Sequence, residues 1–182
     1  MALSAETAAE LLAWRDRPPI ILDESDAEPG DLDRALRGGY AGTSHKNCKG
    51  VIKGIANACL IAARRRAEPA RPLHFSAEDL TNVGPVALLQ DLAVVATLGI
   101  AHAERNGHNY FAGLSQFPAG VQRAVLAAHS DLYRPHEGYP VVRVEQGKVS
   151  ARSVVAAPFG RAIGINPGEF TPLAEWDADR YC

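Results

Sequence analysis

The sequence of 182 residues is 47% hydrophobic and carries a formal charge of −2, with a pI near 6.3. This composition is typical of a weakly acidic soluble enzyme and offers no positive field for nucleic acid or an anionic membrane surface. The sequence contains no run of about 18 apolar residues that would predict a membrane span, and its N-terminus lacks the basic segment followed by an apolar segment that is typical of a signal peptide. The three cysteines are irregularly spaced and fit neither a disulfide framework nor a zinc site. We therefore expect a cytoplasmic protein.

Short apolar strands alternate with amphipathic helices in the first part of the chain. Strands are predicted at Ile20 to Leu22, Tyr40 to His45, Pro72 to Ser76 and Ile100 to Ala103. Helices are predicted at Ser4 to Arg15, Asp31 to Arg37, Val51 to Arg66 and Pro85 to Leu98. Asp31 is expected to cap the second helix, and Gly38 with Gly39 to end it. The alternation favours a parallel sheet with right-handed crossovers.

The pattern changes after the fourth predicted strand. An amphipathic helix is predicted from Pro118 to Tyr133, and the alternating segments Tyr139 to Val144 and Lys148 to Val155 are predicted to form a hairpin around Gln146-Gly147. The glycine- and proline-containing remainder is predicted to be largely irregular. We therefore expect a first region at residues 1–135 and a C-terminal extension at residues 136–182 that packs on it.

Charged side chains collect directly after the predicted strands. They are Asp23, Glu24 and Asp26 after the first strand, Lys46 and Lys49 after the second, Glu78 after the third and Glu104 after the fourth. Parallel α/β folds place their chemistry at the C-terminal ends of strands. A carboxylate suited to Mg²⁺ and an amine suited to proton transfer are therefore expected on neighbouring strands, pointing the same way.

Two of these strand ends carry a more specific pattern. Leu-Asp-Glu-Ser at residues 22–25 is followed on the next strand by His-Lys-Asn-Cys-Lys-Gly at residues 45–50. The pair resembles the fifth and sixth barrel strands of the enolase superfamily, nearest to its mandelate racemase and muconate-lactonizing branches. The resemblance covers roughly residues 5–170. It implies a partial (β/α)8 TIM barrel of the four C-terminal β/α units, followed by the hairpin and the irregular tail.

The resemblance also implies a reaction. Carried over, Asp23 is a ligand of an essential Mg²⁺, Lys46 is the acid or base that moves a proton α to a carboxylate, and Glu78 and Glu104 lie where the small carboxylate substrate binds. The metal stabilises the enediolate as a Lewis acid. A partly desolvated lysine near a cation is expected to have a lowered pKa, as a base near neutral pH requires. Racemase, dehydratase and cycloisomerase reactions all fit this scheme.

The family pattern needs parts that do not precede Met1, namely two further carboxylate ligands, a second base and a capping domain. We therefore expect the C-terminal half of such an enzyme, inactive or nearly so by itself, with Mg²⁺ in the complete protein. Three origins of such a half stay open. The chain can be a truncation, a subunit of a split protein, or a half-barrel that forms a homo-oligomer or pairs with a complementing half. The alternative is a non-catalytic scaffold, because a four-stranded sheet leaves unpaired edges and a bare apolar face.

The charged candidates also have plainer interpretations. Asp23 suits a helix or turn cap in an acidic loop, Lys46 suits a solvated lysine, and the two glutamates suit exposed loops. Lys49, Lys53 and the run Arg64 to Arg66 are expected to form a solvated helix face.

The remaining candidates for metal or nucleophile chemistry are weak. His45 and His74 are expected to be hydrogen-bonded strand residues. The spacing of His102 and His108 matches no helical pair and argues against zinc. Cys48 lies between two lysines, which favours a lowered thiol pKa, but no His and Asn or Asp partners for a cysteine hydrolase are apparent.

Overall fold

A computed structural model of the chain describes residues 3–78 and 81–177. The chain divides into two compact units. The first, unit 1, comprises Met1–Glu78 and Leu98–Glu104, and the second, unit 2, comprises Asp79–Thr97 and Arg105–Cys182. The predicted boundary between residues 135 and 136 stays a prediction.

Unit 1 contains a small parallel sheet, which in the described part of the chain has three strands in the order β1, β2, β3. These are β1 (Gly42–His45), β2 (His74–Glu78) and β3 (Ala103–Glu104). Leu22 adds a single parallel bridge to Thr43 at the β1 edge. The four predicted strand segments thus lie side by side in chain order. A mixed α/β fold with a parallel sheet is confirmed, and its completion as part of a barrel stays a prediction.

The strands are shorter than the sequence predicts or displaced from the predicted positions. The predicted first strand is only the Leu22 bridge, with hydrogen bonds of 2.8 Å from Leu22 N to Gly42 O and 3.1 Å from Ser44 N to Leu22 O. β2 begins two residues late, because Pro72 has no N–H to donate to a ladder. Its first residue, His74, donates to Ala41 O at 2.7 Å.

The helices of unit 1 agree well with the predictions. They are α1 (Ala5–Ala13), α2 (Asp31–Arg37) and α3 (Val51–Ala67). α2 ends at Gly38, as predicted, but Asp31 is not its cap, because Gly30 takes that position. The Asp31 carboxylate instead accepts the N–H groups of Ala27 and Glu28, at 3.1 and 2.7 Å, and so fixes the turn before the helix.

Two apolar clusters hold these helices against the sheet. One joins α2 and α3, and the other joins the first predicted strand to α2; their buried members are Leu32, Leu36, Ile61 and Leu73 in the first and Leu22, Ala35 and Tyr40 in the second. β1 is buried along its whole length. Because β1 is polar, its buried hydroxyl and imidazole groups must find partners inside the protein.

Unit 2 has its own core. Its helices are α4 (Ala87–Thr97), α5 (Ala119–Ala128) and α6 (Arg152–Ala156), and its strands are β4 (Tyr133–His136), β5 (Tyr139–Val142), β6 (Val144–Glu145) and β7 (Lys148–Val149). α4 is buried at six positions, as its nearly all-apolar sequence predicts. The buried cluster of this unit includes Leu88, Leu89, Leu92, Leu114, Val121, Val125, Leu132, Tyr133 and Val154. After α6 the chain is largely irregular apart from short 3₁₀ turns, as predicted, and residues 178–182 of the predicted tail lie outside the described residues.

The predicted long hairpin is wrong in its pairing. β5 pairs with β4 through a turn at Glu137-Gly138, and Gln146-Gly147 joins only the two-residue strands β6 and β7. Both turns have positive φ at both central residues, 47° and 93° in the first and 50° and 72° in the second. Such turns match the twist of a tight hairpin.

Of the predicted strand Lys148 to Val155, only Lys148–Val149 is extended, and the chain from Arg152 forms α6 instead. A carboxylate from outside the helix, that of Asp131, accepts the Ser150 hydroxyl at 2.6 Å and the Ser153 N–H at 3.2 Å. This satisfies an N–H at the start of the helix, where the N-cap residue Ala151 makes no side-chain hydrogen bond. α5 also ends earlier than predicted, at Ala128, because the chain leaves the helix at His129 to enter β4. Within residues 3–78 and 81–177, none of the helices combines the length and the apolar composition that a membrane crossing needs.

Candidate active site

The strand ends of unit 1 bring the predicted charged residues together. Asp23 and Glu24 follow the Leu22 bridge, Lys46 follows β1, and Glu78 is the last residue of β2. Since neighbouring parallel strands end at the same edge, these side chains meet there. We call Asp23, Glu24, Lys46 and Glu78 the strand-end cluster.

Lys46 is the centre of this cluster. Its Nζ lies 2.8 Å from Glu78 Oε2, 3.0 Å from Asp23 Oδ2 and 3.1 Å from Glu24 Oε1. An ammonium group has three N–H donors, so the three carboxylates are enough to engage all of them. The Lys46 side chain is only 5% exposed, whereas Glu24 is 82% exposed and Asp23 and Glu78 are each 28% exposed. The expectation of a solvated Lys46 is therefore wrong.

Lys49 reaches the same carboxylate from the other side. It ends a 3₁₀ turn, Asn47–Lys49, that follows Lys46 directly. Lys46, which precedes the turn in an extended conformation, and Lys49, its last residue, both reach Asp23. The Lys49 Nζ lies 2.7 Å from Asp23 Oδ1, and Ser44 Oγ donates to the same oxygen. Both oxygens of Asp23 thus accept hydrogen bonds.

These contacts set the charge states of the pair. Burial alone would raise the pKa of Asp23, but the hydrogen bonds from Lys49 and Ser44 hold it well below the ordinary 3.8. Burial alone would lower the pKa of Lys46, but hydrogen bonds to its carboxylates, Glu78 first, raise it above the ordinary 10.5. The lowered lysine pKa expected for a base is therefore not found in this arrangement. Lys46 is held as an ammonium, the acid form of the residue.

The loop that carries Asp23 and Glu24 also carries a buried carboxylate, that of Asp26. Asp26 is 1% exposed, and its Oδ2 lies 2.8 Å from Thr43 Oγ1 and 2.9 Å from Asn57 Nδ2. Lys53 Nζ approaches its Oδ1 at 3.4 Å and also donates to the Asp26 and Ala27 carbonyls. The network ties the loop after Leu22 to α3.

Thr43, Ser44 and Asn57 contribute to the site but were not predicted from the sequence. Asn57 could have been predicted, because a polar residue on the buried face of an amphipathic helix needs a hydrogen-bond partner inside the protein. The predicted solvated face is also wrong in part. Lys49 and Lys53 have side chains only 12% and 10% exposed. Of the arginine run, Arg64 pairs with Asp33 at 2.8 Å, and Arg65 and Arg66 are exposed.

The other candidates lie outside the cluster or play structural parts. The Cα of Glu104 is in register with that of Glu78, and its side chain is exposed. His45 is buried, and its Nε2 lies 2.9 Å from Asn47 Oδ1, as expected of a hydrogen-bonded strand residue. His74, His102 and His108 are exposed.

The resemblance implies a Mg²⁺ ion bound to Asp23. Among residues 3–78 and 81–177, no group of three or more His, Cys, Asp or Glu side chains is arranged to hold a metal ion. The expected ligand Asp23 has one oxygen on Lys46 and the other on Lys49 and Ser44. A divalent ion would share these oxygens with two ammonium groups. As arranged here, these residues do not fit Mg²⁺.

Comparison with known proteins found no matching family model, no matching curated protein and no matching solved structure. The resemblance to the enolase superfamily therefore rests on Leu-Asp-Glu-Ser at residues 22–25 and His-Lys-Asn-Cys-Lys-Gly at residues 45–50.

Proposed function

We propose that this chain is the C-terminal part of an enolase-superfamily enzyme, in which Lys46 transfers a proton at the carbon α to a substrate carboxylate. The parent reaction is a racemisation, dehydration or cycloisomerisation. The observation that carries the proposal is the position of Lys46, a buried ammonium at the C-terminal edge of a parallel sheet, between acids from the two neighbouring strand ends.

In this step one proton moves between Lys46 and the substrate. The ammonium gives one proton to the α-carbanion, a C–H bond forms, and the neutral amine remains; in the reverse direction the amine takes the α-proton. Because its pKa is raised, Lys46 keeps its proton at neutral pH, so the form that can donate is the one present. For the reverse direction, its contacts with the carboxylates must first weaken.

The charge balance supports the proposal that the chain alone is inactive or nearly so. Lys46, Lys49 and Lys53 each pair with acids of the chain itself. An anionic substrate approaching the strand-end cluster would meet carboxylates whose counter-ions are already engaged. The resemblance assigns the missing positive charge to Mg²⁺ in the complete protein, an ion that the donor set described in this chain does not fit.

A second candidate function is a non-catalytic scaffold that associates with another chain. One observation favours it: the three carboxylates around Lys46 are enough to satisfy its three N–H donors. A lysine with a purely structural role would also be expected to have all of its N–H donors paired with carboxylates.

An isotope-exchange assay separates the two candidates. The purified chain is incubated with mandelate or gluconate in D₂O containing Mg²⁺, and loss of the α-proton signal is followed by ¹H NMR. We expect slow exchange without net turnover, reduced at least about 100-fold in Lys46→Met, as for loss of a general acid or base.

Lys148→Met is the matched control, since Lys148 is an exposed lysine of β7 in unit 2. Its exchange rate should equal that of the wild type. An absence of exchange in the wild type would favour the scaffold, and equal exchange in wild type and Lys46→Met would remove Lys46 from the reaction.

A further inference from the structure

The ammonium group of Lys49 lies in a cage of four oxygen atoms. Its Nζ is 2.7 Å from Asp23 Oδ1, 2.9 Å from the Asp23 carbonyl, 3.1 Å from Ser44 Oγ and 3.3 Å from the Ser44 carbonyl. Asp23 and Ser44 each contribute one backbone and one side-chain oxygen. Ser44 Oγ donates its proton to Asp23 Oδ1, so its lone pairs face the ammonium.

Four oxygens are one more than the three N–H donors of a lysine. All four lie within 3.3 Å of the nitrogen. The distances exceed the 2.0–2.1 Å that Mg²⁺ requires by a wide margin. They suit a large monovalent cation, and the ammonium ion and K⁺ are close in size.

We infer that Asp23 and Ser44 form a monovalent-cation site that the chain fills with its own Lys49. The amine is a tethered substitute for a soluble cation such as K⁺ or NH₄⁺. Its tether is short, because the 3₁₀ turn returns the chain to Asp23 only three residues after Lys46. This explains why Asp23 does not fit as a ligand of Mg²⁺, since the position beside its Oδ1 atom already holds a cation.

The tethered cation makes Lys49 a positioning residue. With Oδ1 of Asp23 fixed by Lys49, the other oxygen, Oδ2, faces Lys46 at 3.0 Å. The inference rests on the proposed function only where this positioning serves proton transfer; the cation site itself does not depend on it.

The test removes the tethered amine and supplies a free one. In Lys49→Ala, we expect the Tm to fall by about 4–10 °C, the loss expected for breaking a partly buried ion pair in a chain of this size. NH₄Cl should then raise the Tm more than tetramethylammonium chloride at equal ionic strength, because only the smaller ion fits the cage. The wild type and the exposed-lysine variant Lys148→Ala should respond equally to both salts.

Equal effects of the two salts on Lys49→Ala, or no loss of stability in that variant, would overturn the inference. If the Lys49→Ala variant does not fold, chemical labelling of the lysine amines in the wild type tests the inference instead. The Lys49 side chain is 12% exposed and engaged, so acetylation followed by mass spectrometry should modify it far more slowly than exposed Lys148; equal rates would refute the cage. Neither readout requires turnover, so failure of the exchange assay leaves both results standing.

Discussion

Replacing Lys46 by methionine removes one charge from the centre of the strand-end cluster and keeps most of the apolar stem. Three carboxylates that now lie within 3.1 Å of the ammonium would face each other without it. The variant therefore measures what the lysine contributes to stability, as well as what it contributes to proton transfer.

The size of the effect follows from the exposure of the partners. Breaking a buried ion pair costs about 3–5 kcal/mol. Glu24 is 82% exposed and adds little, and the 28% exposure of Asp23 and Glu78 reduces the cost further. We expect a loss of about 3 kcal/mol, which is a fall in Tm of about 6–12 °C for a chain of this length.

The loss should depend on pH. The folded-state pKa of Asp23 lies below its ordinary 3.8, so the stability that the cluster supplies is present above about pH 4 and is lost as the pH falls through the folded-state value. In Lys46→Met, protonation of the acids relieves their repulsion. The Tm difference between the two proteins should therefore shrink on acidification.

Thermal unfolding followed by circular dichroism at about pH 7 and about pH 3 gives the comparison. Lys148→Met, which changes an exposed lysine, should match the wild type at both pH values. A Lys46→Met variant as stable as the wild type at neutral pH, or equally destabilised at both pH values, would refute this description of the cluster.

Two further predictions concern the metal and the sheet. In isothermal titration calorimetry, Mg²⁺ should bind no tighter than about millimolar, and Asp23→Asn should not change this, since two lysines already hold the carboxylate; micromolar binding abolished by the substitution would show that the ligands are present after all. Gly42→Ala should destabilise the protein by at least about 3 kcal/mol, because an added Cβ would lie 1.8 Å from the His74 carbonyl oxygen and force β1 and β2 apart. Gly99→Ala, whose Cβ meets nothing within 4 Å, should cost only the backbone strain of about 1–2 kcal/mol, and equal losses in the two variants would contradict the close approach of the strands.

The elements whose signals are local could be predicted from the sequence. α2 and α3 lie where apolar spacing and flanking glycines place them. The order of strands and acids predicted that Asp23, Lys46 and Glu78 share one edge of the sheet, because residues that follow neighbouring parallel strands lie at the same edge. Their chemistry was predicted less well, since the raised pKa of Lys46 depends on three carboxylates whose positions no local pattern specifies.

Elements fixed by distant contacts could not be predicted. β4 and β5 place Pro135 opposite Pro140, and two prolines argue against strands because neither has an N–H. The structure accommodates them because the Pro140 carbonyl points to Leu114 N at 2.9 Å and not across the hairpin. α6 likewise depends on the Asp131 carboxylate, which lies well before it in the sequence.

Lys46 is a buried ammonium held by acids from neighbouring strand ends. ¹H–¹⁵N NMR of the lysine amines can follow its charge, with Lys46 Nζ observed from neutral pH to about pH 12. We predict that Lys46 titrates above the ordinary 10.5 and that Asp23→Asn lowers its midpoint, because one of the carboxylates that raise the pKa is lost. A Lys46 that titrates at or below 10.5, alike in both proteins, would show that the acids do not hold it as an ammonium.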